Sequence, residues 1–65
     1  RRRAEQERVA RLRADNCARA RSAKATLDAG VRLTRTNEKG EREILDDAAR
    51  AAESRRLQDI IASDC

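Results

Sequence analysis

The sequence predicts a mainly α fold: an antiparallel two-helix hairpin with a short β-hairpin between the helices, closed by one disulfide. Three observations lead there. Helix formers dominate both flanks, and none of the 65 residues is proline. The segment Gly30–Asp47 between the flanks is rich in turn and β-branched residues. The only two cysteines, Cys17 and Cys65, bracket everything with a folding pattern. The chain is accordingly expected to divide into a charged helical connector over residues 1–15, from an upstream part of the protein, and a stapled helix/β-hairpin/helix module over residues 16–65.

Residues 1–15 carry Val9 and Leu12 as their only large apolar side chains. Glu5 with Arg8 and Glu7 with Arg11 stand at helical spacings that favour ion pairing. Arg1-Arg2-Arg3 opposes the dipole of a helix starting there, so this end is expected to fray or to continue a helix begun upstream. The helical pattern runs on to Ala29, with Val9, Leu12, Asn16, Ala20, Ala23 and Leu27 on one face. Ala20 and Ala23 let a partner helix approach closely, Cys17 lies at the margin of that face, and Gly30 suits the left-handed position after a helix end.

Val31–Thr36 and Glu41–Leu45 alternate around the turn Asn37-Glu38-Lys39-Gly40, which predicts a β-hairpin. Pairing Thr36 with Glu41 would set Arg35 against Arg42. With Gly40 as the left-handed residue of a bulge, Arg35 faces Glu43 and Leu33 faces Leu45, the register favoured by charge. An isolated two-stranded hairpin is marginal in water, so one of its faces is expected to lean on helix ends or on a partner.

Asp46-Asp47 opens the second helix as cap and dipole partner. Ala49, Glu53, Leu57, Ile60 and Asp64 form one row along it, beside Leu57, Ile61 and Cys65. Asp47 to Cys65 spans about 28 Å and Cys17 to Ala29 about 20 Å, so an antiparallel return brings Cys65 near Cys17 and leaves residues 1–12 overhanging.

The cysteines lack the company that zinc or a nucleophile requires, because the chain has no histidine. Their separation of 48 positions is not the Cys-x-x-Cys spacing of a redox dithiol. A structural disulfide is favoured and implies an oxidising compartment. The alternative is two free thiols, with Cys17 acting as a small hydrophobe.

Composition sets further bounds. With 38% hydrophobic residues and no aromatic, the chain holds one small core at most. No apolar run approaches the length of about eighteen residues needed for a membrane span. The net charge of +4 divides into +6 over residues 1–24 and −2 over residues 25–65. Fourteen arginines against two lysines, beside thirteen alanines, resemble the bias of a GC-rich bacterial genome. The first residue is Arg rather than Met, from which the chain is expected to be part of a longer protein, or a mature form without its targeting segment.

A resemblance rests on Asn16-Cys17-Ala18-Arg19-Ala20, Leu27, Gly30-Val31-Arg32-Leu33, Asn37–Arg42, Ile44-Leu45-Asp46-Asp47, Arg50, Glu53, Ile61 and Cys65. Together these are similar to the C-terminal helical, two-cysteine region of small proteobacterial periplasmic proteins of the domain-of-unknown-function 4124 type. The resemblance covers residues 16–65 and implies a periplasmic address in a Gram-negative bacterium and a Cys17–Cys65 pairing, and nothing catalytic. The chain departs from it at Ile44 and Asp64, where relatives tend to carry an aromatic.

The functional expectation is a non-enzymatic interaction or structural module of the cell envelope, without cofactor, metal or small-molecule substrate. Its partner would be another envelope protein or a larger assembly, met at the hairpin tip or the apolar face of the second helix through Leu33, Arg35, Ile44, Ile60 and Ile61. The alternative is binding of nucleic acid or an anionic surface by the Arg-rich N-terminal helix. Glu5, Glu7 and Asp15 within that helix, and the lack of stacking aromatics, argue against nucleic acid. Self-pairing of this helix as a coiled coil would have only a weak seam of Asn16 and alanines.

Overall fold

The computed structural model describes residues 1–65 and places two helices in antiparallel contact, with a two-stranded sheet at the turn between them. Helix α1 spans Arg2–Asp28 and helix α2 Asp47–Asp64, with strands β1 (Thr34–Thr36) and β2 (Arg42–Ile44) between. At 27 residues α1 outruns the 18 of α2. The difference is about 14 Å at 1.5 Å per residue, and it forms the overhang that the sequence predicts.

α1 is a single helix from Arg2, with no side-chain cap at its start. Along its exposed surface Arg8 pairs with Glu5, and Lys24 with Asp28 at 2.7 Å. The expected Glu7–Arg11 pair does not form; both residues are exposed, where such a pair gains little. The helix ends at Ala29, and Gly30 follows at φ 77°, in the left-handed position expected of it. α2 opens on Asp46, whose carboxylate accepts from Ala49 N at 2.8 Å.

Neither helix has a basic residue in its last turn. Each receives one from the other. Arg50 of α2 donates to Leu27 O at 2.7 Å and to Val31 O at 2.9 Å, at the carbonyl end of α1. Arg13 of α1 donates to Ser63 O at 2.5 Å, at the carbonyl end of α2. Both guanidinium groups thus meet carbonyls at the negative end of a helix dipole, Leu27 O accepting from Gly30 N at 3.1 Å as well.

The hairpin adopts the bulged register: Thr34 faces Ile44, Arg35 faces Glu43 and Thr36 faces Arg42. Gly40 N donates to Asn37 O at 3.0 Å and Asn37 N to Glu41 O at 2.9 Å, with Gly40 at φ 79°. The strands are shorter than the alternation implies. Leu45 N still reaches Leu33 O at 2.9 Å, but Val31 O is taken by Arg50, so regular pairing does not extend back to Val31.

Only Ala20, Leu27 and Leu57 are buried, and Leu33, Ile60 and Ile61 pack partly against them. Ala20 is covered to 3% exposure on the predicted seam, where a small residue lets the partner helix come close. At the open end of the hairpin Cys17 and Cys65 form a disulfide, with Cα atoms 5.2 Å apart. Asn16 Nδ2 donates to Asp64 Oδ2 at 3.1 Å beside it, and Arg19 donates to Asn16 Oδ1 at 2.9 Å.

Candidate functional site

The turn of the hairpin is held by one side chain. Asn37 Oδ1 accepts from Lys39 N and Glu41 N, both at 2.9 Å, and its Nδ2 donates to Glu43 Oε1 at 2.6 Å. An asparagine that bonds the backbone ahead of it in this way rigidifies a turn. Successive strand residues point to opposite faces. Leu33 and Arg35 therefore turn toward α2, where with Thr34, Leu45, Ala49 and Glu53 they line a cleft of about 230 Å³. Thr36, Arg42 and Ile44 belong to the outer face, and Ile44 there is 57% exposed.

Glu53 ties the cleft together electrostatically. Its carboxylate takes two bonds from Arg56, at 2.5 and 3.1 Å. That hydrogen bonding holds its pKa below the ordinary glutamate value against a smaller opposing effect of burial, and the charges of Arg56 and of Arg35 across the cleft act in the same direction. Arg35 thus couples the hairpin to α2 by charge, without a direct ion pair.

The five side chains expected to meet a partner do not converge. Leu33 and Arg35 lie in the cleft, Ile44 points away from it, and Ile60 and Ile61 sit near the disulfide end, half-buried on the helix seam. Ile60 helps floor a groove of about 340 Å³ between the helices, with Ala20, Ala23 and Leu57 below and Arg19 and Arg56 at its edges. Cys17 is half-buried and Cys65 exposed.

Sequence reasoning missed two features of this region. Val31 is 47% exposed beside the tip, although a β-branched residue after a glycine reads equally well as inward. Arg50 joins α2 to the end of α1, and its signal was the lack of any basic residue in the last turn of α1. At the opposite end of the molecule Val9 and Leu12 are 42% and 48% exposed on the overhang. No helix is long and apolar enough to cross a membrane. Compared with protein-family models, curated proteins and solved structures, the chain matches none.

Proposed function

We propose that this chain is a non-enzymatic interaction module of the bacterial cell envelope that meets its partner at the hairpin tip. The observation that carries the reading is Ile44, a large apolar side chain 57% exposed on the outer face of a hairpin whose turn Asn37 fastens through Lys39 N, Glu41 N and Glu43. A preorganised apolar contact loses little conformational freedom on binding. The second-helix face is the weaker choice, since Ile60 and Ile61 already pack against the core. The Cys17–Cys65 disulfide favours an oxidising compartment, and the resemblance to small proteobacterial envelope proteins points the same way to the periplasm.

The test is a photo-crosslinking residue placed at position 44 of the chain exported to the periplasm, with Arg55 on the exposed side of α2 as the control position. Adducts at 44 and none at 55 support the reading. Equal adducts at both positions, or none at either, would dispose of the tip as a contact surface.

A further inference from the structure

The fold sorts charge and exposed apolar surface to its two ends. The overhang, residues 1–12, carries Arg1, Arg2, Arg3, Arg8 and Arg11 against Glu5 and Glu7, a net +3. The tip, residues 37–47, carries Glu38, Glu41, Glu43, Asp46 and Asp47 against Lys39 and Arg42, a net −3. Of the overhang cations only Arg8 has an ion-pair partner, and none of the five tip carboxylates has one. The molecule is 45 Å long, several times the screening length of about 8–10 Å at 0.1–0.15 M salt and still longer than the roughly 30 Å of dilute salt, so its two ends do not neutralise one another within one copy.

The exposed large hydrophobics divide in the same way: Val9 and Leu12 on the overhang, Ile44 within the tip. Each end therefore presents exposed apolar surface on a segment whose charge is largely without ion-pair partners, with opposite sign at the two ends.

We propose that the partner of the tip is the overhang of a second copy of this chain, so that copies associate head to tail. This deepens the interaction reading and rests on it. The two surfaces differ, so the contact is heterologous, and copies joined by it either run on head to tail or close into a ring, an antiparallel pair being the smallest. One helix end on one hairpin buries a small area, which places the contact in the weak, salt-sensitive class.

Sedimentation of the purified, oxidised chain tests it. The weight-average mass should rise at least about twofold above 7.3 kDa near millimolar protein in low salt, and return to the single-chain value at about 0.5 M salt. Two variants, Arg1→Glu/Arg2→Glu/Arg3→Glu and Glu38→Lys/Glu41→Lys, change only exposed positions and should keep the parent helical content. Each should be monomeric alone, and their equimolar mixture should associate. Leu12→Ser should weaken association of the parent chain without altering its charge.

A parent chain that stays monomeric in low salt, or association indifferent to both charge variants, would overturn the proposal. So would a monomeric chain whose overhang binds a heparin column, which would assign the arginines to an anionic polymer. Crosslinks from position 44 to a different protein, with the purified chain monomeric, would overturn head-to-tail pairing while leaving the interaction reading intact.

Discussion

Replacing both cysteines by serine is expected to bring the module close to unfolding at ordinary temperature. The Cys17–Cys65 bond joins residues 48 positions apart. In the chain-entropy treatment, closing a loop of that size stabilises the fold by about 4 kcal/mol. Against it stands a core of three buried residues, in a chain whose length places its total stability at about 3–10 kcal/mol. The bond is thus comparable with everything else combined. Each kcal/mol is worth about 4–8 °C in a domain this small, so the midpoint should fall by about 16–32 °C. Far-UV circular dichroism melts of Cys17→Ser/Cys65→Ser, compared with the oxidised parent, measure it, and adding reductant to the parent should reproduce the shift. A double-serine chain that melts within about 3 °C of the parent would refute the reasoning, because the seam of Ala20, Leu27 and Leu57 would then suffice alone.

Leu57→Ala should cost about 2–3 kcal/mol in urea unfolding, the low end for a buried leucine because its partly exposed neighbours Ile60 and Ile61 can close on the space. Ala20→Leu should cost about 1–3 kcal/mol by forcing the helices apart where Ala20 is only 3% exposed, and a neutral result would show a looser seam. Arg50→Met should cost about 1–2 kcal/mol and raise amide exchange in the last turn of α1, with Arg50→Lys failing to restore protection because an ammonium cannot span Leu27 O and Val31 O as the guanidinium fork does. Glu53 has its folded-state pKa lowered by the bond from Arg56, so its contribution is present above the ordinary value of 4.5 and is lost as pH falls through the folded value. Chemical denaturation between pH 6 and pH 2 should therefore show a shallower loss of stability for Glu53→Gln than for the parent, and parallel curves would remove Glu53 from the account.

What the sequence disclosed was local or governed by charge. Asp46 as cap, Gly30 after α1 and Gly40 in the bulge follow from a few neighbouring residues, and each stands where the pattern put it. The hairpin register was legible because the competing one sets Arg35 against Arg42. The two cysteines could be paired on paper because the helix lengths bring them level. Features that depend on the other helix were not legible. The start of β1 at Thr34 depends on Arg50, 19 positions beyond the Val31 carbonyl it takes. The grip of Arg13 on Ser63 crosses 50 positions, and no local pattern encodes it. In the candidate site, Arg35 and Ile44 could be named from strand alternation, whereas the half-burial of Leu33, Ile60 and Ile61 depends on how the seam closes.

The position of the disulfide also decides how the molecule carries tension. A pull between Arg1 and Cys65 enters along the overhang and passes at Cys17 straight through the covalent bond, across Cα atoms 5.2 Å apart. The hairpin, the seam and both strands hang to one side of that load path as a closed ring and bear none of it. Stretched in a single-molecule experiment, the oxidised chain should lengthen only as residues 1–16 uncoil, by about 30 Å. Reductant should then release a second extension of more than 100 Å from residues 18–64, on the order of 3.5 Å per residue less the width of the folded ring. Oxidation thus turns a fold with three buried residues into a link that barely yields to force, which its small core could not achieve by packing.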